Sequence, residues 1–139
     1  MSSQSNRVMS SQSNIDVIRR GYAAFSAGDM DTLRDEVFTP DAVWVVPGNG
    51  YYSGSKEGID PILGFFADIF ERSGGTLQVI LEDVAAGDGH CYSLHNNIAM
   101  RGDRSLDLRS VLVLDMVDGR IARVDQYYRD TTENDEFWA

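Results

Sequence analysis

The sequence predicts an α+β fold: a cone-shaped α+β barrel with three N-terminal helices packed on a strongly curved antiparallel sheet. Three observations carry that expectation. Helical periodicity dominates the first half of the chain up to Gly74-Gly75. Four long runs rich in Val, Ile, Leu and Tyr fill the second half, joined by hairpin-length turns bearing Gly and Asp. Helices placed before strands, rather than alternating with them, indicate α+β, and long strands curling around helices leave a cavity at the mouth of the cone.

The elements follow in order. "MSSQSN" occurs twice, at 1–6 and 9–14, a polar duplication too short to be a fold repeat, so residues 1–13 are expected to form a flexible tail and 14–139 a single domain. Ile15, Ile18, Tyr22 and Phe25 form one apolar stripe, with Ser13 and Asp16 resembling a capping box and Gly28 a natural stop. Asp29 is placed to cap a second, short helix carrying Met30, Leu33 and Val37. Ala42 to Val46 reads as a strand closed by Pro47-Gly48, and "GNGYYSG" as a loop. In the third helix Ile59, Ile62, Phe66 and Ile69 share a face. Pro61 must lie in its first turn, so that helix begins near Gly58. Strands are expected over Thr76–Ala86, His90–Arg101, Ser105–Val117 and Arg120–Arg129. The polar tail ends in Phe137 and Trp138, which are placed to dock back.

Composition bounds the function. A chain of 139 residues is one domain able to bury a core without staples. Its net charge of −10 opposes phosphate backbones and anionic bilayers, so neither nucleic acid nor membrane is expected as a partner. One cysteine, Cys91, excludes an internal disulfide and reads as a packed thiol. With no apolar leader or membrane-length run, the cytoplasm is the expected compartment. Two histidines and one cysteine without ligand spacing give no metal site, and no glycine-rich loop sits in a strand–helix context, so no cofactor is expected.

"YAAFSAGDMDTLRDEVFTPDAVWVVPG", "YYSG" and "DGRIARVDQYYRD" together resemble the nuclear-transport-factor-2-like superfamily. Within it they are most similar to SnoaL-like polyketide cyclases, limonene epoxide hydrolases and ketosteroid isomerases. The resemblance covers Asn14 to Arg129 and implies the cone, which hosts enzymes and plain binding proteins alike. It also places functional residues. Where the isomerases carry an Asp base before the proline, this chain has Val46. Where the epoxide hydrolases carry Asp on the last strand, and Arg and Asp on a middle strand, it has Gln126, Ser93 and His95. Those carboxylates are therefore absent, and polar residues stand in their places.

Alternation assigns the faces. In Ser105–Val117 the even residues Leu106 to Met116 are apolar apart from Ser110, so that face is the core and Ser110 a candidate ligand contact. In His90–Arg101 the two criteria conflict: hydrophobicity favours the even face of Tyr92, Leu94, Ile98 and Met100, whereas the resemblance turns Cys91, Ser93, His95, Asn97 and Ala99 into the cone.

The expected function is a small cofactor-free enzyme acting on an apolar, oxygenated molecule of polyketide or terpenoid type. It would work by general acid–base catalysis, as a cyclase, isomerase or epoxide-opening enzyme. His95 is the candidate proton carrier, because imidazole titrates near neutrality; Gln126 and Tyr128 complete the candidate catalytic set by orienting or polarising oxygen. Candidate substrate-binding residues are Asn97, Ser93, Ser110, Trp44, Tyr22, Tyr51, Phe66, Leu108 and Leu112, an apolar wall with few polar groups. His90, beside a turn, is expected on the surface. Arg123, Asp125, Tyr127 and Arg129 fall on the opposite face, which suggests a homodimer through the outer sheet face. The alternative is a non-catalytic small-molecule-binding or dimerisation module using the same cone.

Overall fold

The computed structural model describes residues 3–139, with side chains from Ser10 onward. Helix α1 (Ser3–Ala27) leads into a three-residue helix α2 (Met30–Thr32), which continues as a π-helical turn over Leu33–Val37. Strands β1 (Phe38–Val46) and β2 (Gly54–Glu57) precede helix α3 (Ile59–Arg72). Then come β3 (Gln78–Ala86), β4 (Cys91–Arg101), β5 (Arg104–Val117), β6 (Arg120–Tyr128) and a closing helix α4 (Thr131–Trp138). Among the described residues no helix is long and apolar enough to cross a membrane.

Local chemistry explains most boundaries. Gly28, at φ 69°, ends α1, and the Asp29 carboxylate caps α2 by accepting from Thr32 N–H at 3.1 Å. Gly58 is the N-cap of α3, which puts Pro61 in the first turn, where the missing N–H costs nothing. Val117-Asp118-Gly119-Arg120 is a two-residue hairpin turn, and both central residues have positive φ, as a type I′ turn requires. Ser13 does not cap α1: the helix runs through it from Ser3 and takes in most of the segment expected as a tail. Once nucleated by the apolar stripe, a helix extends into polar sequence at little cost per residue.

The sheet has the order β2-β1-β6-β5-β4-β3. All neighbours are antiparallel except β1 and β6, which run parallel with Trp44 opposite Val124. It is curved and unclosed, with β2 and β3 as its edges. Bulges at Phe38/Val43, Leu81/Asp83 and Asp115/Met116 bend it; the first of these accommodates Pro40, which has no N–H to give a ladder. The α+β cone expected from sequence is thus present, with the addition of β2. Its Gly-Ser-Lys-Glu sequence carries no strand signal and pairs only with β1.

On β4 the face is decided: Cys91, Ser93, His95, Asn97 and Ala99 are buried, whereas Tyr92 and Met100 lie open on the outside. The face read as core by hydrophobicity is therefore the outer one. The concave side of the sheet, α1 and α3 share one apolar core built around Ile18, Phe66, Leu112 and Leu114. A second cluster around Leu106, Leu108, Phe137 and Trp138 seats α4.

Candidate functional site

Between the concave sheet face, α1, α3 and α4 lies a cavity of about 90 Å³. Its wall is aromatic: Phe25, Trp44, Tyr52, Phe65, Phe66 and Trp138 all reach it. Its polar groups are few, namely Tyr22, His95, Asn97, Gln126, Tyr128 and Asn134, and the lining holds no carboxylate, lysine or arginine.

Strand periodicity delivers the polar groups. His95 pairs with Ser110, and Ser110 with Tyr128; one step along the same face, Ser93 pairs with Leu112, and Leu112 with Gln126. Two rows of inward side chains therefore cross β4, β5 and β6 at the same depth. Helix α1 lowers Tyr22 onto the first row. Its hydroxyl lies 2.6 Å from His95 Nδ1 and 2.7 Å from Ser93 Oγ. Strand β1 brings Trp44, whose Nε1–H donates to Gln126 Oε1 at 3.1 Å, while Gln126 Nε2 donates to Ser110 Oγ at 3.2 Å. Asn97 Nδ2 donates to the Leu108 carbonyl at 3.1 Å.

Burial sets the electrostatics. His95 is 3% exposed, and loss of water around the imidazolium drives its pKa down to about 4, with a hydrogen bond to Asn97 acting the other way. The ring is therefore neutral at physiological pH. Burial raises the Tyr22 phenol well above its ordinary value, opposed by the Ser93 hydrogen bond. Burial likewise raises Tyr128, assisted by the Asp135 charge and opposed by a hydrogen bond to Asn134. Every polar group facing the cavity is uncharged. The Ser93–Tyr22–His95 protons can be ordered in either direction, since a neutral imidazole accepts at one nitrogen and donates at the other.

The structure brings together most of the residues expected from sequence. Tyr22, Trp44, Phe66, His95, Asn97, Leu112, Gln126 and Tyr128 line the cavity. Ser93 and Ser110 are buried one layer behind, holding Tyr22 and Gln126, and Leu108 is buried in the wall without reaching the cavity surface. Tyr51 is misplaced by the sequence reading: it is 66% exposed, with the Arg72 guanidinium 3.9 Å from its ring centre. Its neighbour Tyr52 turns inward instead and donates to Asp68 at 2.7 Å. Tyr52, Phe65, Asn134 and Trp138 escaped the sequence reading as site residues. The terminal Phe-Trp pair was the one available signal, since two large aromatics closing a polar tail need somewhere to dock. His90 lies on the surface beside Asp115, with which its Nδ1 hydrogen-bonds.

The family model for the SnoaL-like domain matches residues 18–124. The chain belongs to the SnoaL-like family. Curated relatives include an uncharacterized protein of Mycobacterium tuberculosis, 33% identical over 132 residues that span 94% of this chain and all of the relative. Among solved structures, Bal32a from a soil-derived mobile gene cassette is 34% identical, with a TM-score of 0.89 over 94% of this chain and 99% of that one. A putative SnoaL-like polyketide cyclase from Jannaschia sp. shares the fold at 18% identity, with a TM-score of 0.71 over 86% of this chain and 87% of that one. The SnoaL-like cone is therefore the scaffold that carries these residues.

Proposed function

We propose that this SnoaL-like chain binds a small, uncharged, oxygen-bearing apolar molecule of polyketide or terpenoid type and moves a proton on it, as a cyclase, isomerase or epoxide-opening enzyme. The observation that carries this reading is an aromatic-walled cavity whose polar groups are all neutral, with Tyr22 hydrogen-bonded to both Ser93 and His95 so that a proton can be relayed along the three. A charged ligand would enter with no counter-ion, whereas a carbonyl or hydroxyl finds donors and acceptors at two stations, Tyr22/His95 and Gln126/Tyr128. His95, neutral and held by Tyr22, is assigned the proton; Gln126, Asn97 and Tyr128 orient the oxygen. A solved relative described as a putative polyketide cyclase is consistent with that chemistry. Trp44, Phe66 and Leu112 form the apolar wall. The same reading assigns a second copy of the chain to the outer sheet face.

Two observations favour the non-catalytic alternative. An imidazole held near pKa 4 is a weak base, and the cavity is small, below the roughly 150 Å³ of an apolar cavity that takes up benzene. A ligand of several rings enters only if part of the wall moves.

A mass-spectrometric turnover screen decides between them. Epoxides, β-dicarbonyl polyketides and prenylated phenols are incubated with the wild type, Tyr22→Phe and His95→Gln. The enzyme reading expects product from one class, reduced about 100-fold or more in His95→Gln. A panel member that binds the wild type but is never converted overturns it and establishes the binding module.

A further inference from the structure

Apart from the cavity, a cluster of basic side chains borders the C-terminal end of α4. Three arginines meet there from three elements: Arg72 at the end of α3, Arg101 at the end of β4 and Arg104 at the start of β5. They border an open groove of about 650 Å³ together with Ser73, Thr76 and Ala139. Arg101 and Arg104 are directly opposite each other across the β4–β5 ladder, a position where like charges repel.

This chain carries 22 acidic residues against 12 basic ones, yet none of these three arginines has an Asp or Glu side chain within salt-bridge distance among the described residues. Residues 1–9 contain no Asp or Glu that would supply one. Glu71 borders the groove but bridges to none of them. The hydrogen bonds that the three make to α4 and the residue after it go to main-chain oxygens. Arg72 Nη2 donates to Trp138 O at 2.9 Å, Arg101 Nη1 to Phe137 O at 2.6 Å and Arg104 Nη1 to Ala139 O at 2.7 Å. Arg72 Nη1 is buried with no hydrogen-bond partner among the described residues. Burial, followed by the charges of Arg72 and Arg104, lowers the pKa of Arg101, the direction expected of crowded cations. Three arginines thus line the groove against one carboxylate side chain, Glu71.

We propose that Arg72, Arg101 and Arg104 form a binding site for an oxyanion carrying two or more negative charges. Guanidinium forks recognise phosphate and carboxylate oxygens in pairs, and a multivalent anion relieves the mutual repulsion that backbone carbonyls leave in place. The site is separate from the cavity but touches it through α4: the carbonyls the arginines hold belong to the helix whose Trp138 forms part of the cavity wall. Anion binding therefore steadies that wall.

The test titrates pyrophosphate into the intact chain by calorimetry at constant ionic strength, with citrate and chloride in parallel. The expected result is saturable one-to-one binding of pyrophosphate or citrate, a rise in the unfolding temperature, and no saturation by chloride. Pyrophosphate alone would mark the anion as a phosphate, and equal binding of citrate would extend it to polycarboxylates. Arg104→Gln is expected to weaken binding about tenfold or more, whereas Arg19→Gln, on the exposed side of α1, leaves it unchanged. No saturable binding to the wild type overturns the proposal, whether or not the variants fold. So does an Arg104→Gln affinity equal to that of Arg19→Gln.

Discussion

His95 shows how a single buried side chain ties stability to pH. Its imidazolium is disfavoured by burial, so the folded chain takes up that proton near pH 4 and the unfolded chain near 6.5. Between those values the unfolded state binds the proton and the folded state does not. Stability therefore rises with pH across this window, and acidification from 7 to 4 removes up to roughly 3 kcal/mol through this residue. Urea unfolding midpoints measured from pH 4.5 to 7 are expected to climb in the wild type and to flatten in His95→Gln, which cannot titrate. An equal slope in both would place the dependence elsewhere. The same residue marks what was legible in the sequence. Its inward orientation did not follow from hydrophobicity, because β4 turns its polar residues into the cone and leaves Tyr92 and Met100 outside. A strand that lines a cavity inverts the usual pattern, so periodicity and the family resemblance conflicted in the sequence, and the structure agrees with the resemblance. Tyr22 was legible as a contact but not as a hydrogen-bond partner of His95, since 73 residues separate them.

Helix α4 is the element least accessible to sequence reasoning. Eight residues are too few to hold a helix in water, so its stability comes from tertiary contacts. The Asp130 carboxylate caps it, accepting from Glu133 N–H at 3.1 Å. Asp135 accepts from Asn49 N–H at 3.0 Å, reaching a loop whose Gly48 and Gly50 leave no room for a Cβ. The arginines that hold its far end come from 32 to 66 residues away, a pairing no local pattern announces. Asp130→Ala is expected to cost about 1 kcal/mol and to free the helix more than the rest of the fold. Hydrogen exchange should accelerate over Thr131–Trp138 before it does over β5, and a uniform change across both would argue against a separately hinged element. By contrast, the ends of α3 were readable closely. Pro61, Gly58 and Gly74 each have one conformational use, and the structure puts them to it.

At the scale of the molecule, the outer sheet face carries Ile80, Tyr92, Met100, Val111 and Tyr127, all exposed and large. Around them Arg109 pairs with Glu82 at 2.6 Å and Arg123 with Asp125 at 3.0 Å, giving a polar surround to an apolar patch. This is the surface on which a second copy is proposed. Sedimentation at micromolar concentration is expected to show a dimer for the wild type and a monomer for Val111→Asp, and a monomeric wild type would remove the dimer from the account. The parallel pairing of β1 with β6 has a consequence of another kind. Trp44 meets Val124, 80 positions further along the chain, so a ribosome must make nearly the whole chain before the sheet can be completed. Until then β1 waits with one edge unpaired, while the β3–β6 hairpins behind it can zip up locally. Birth order and assembly order thus disagree in this chain: the first strand synthesised is held back for the last, and it is during that wait that the nascent protein is most exposed to joining the wrong neighbour.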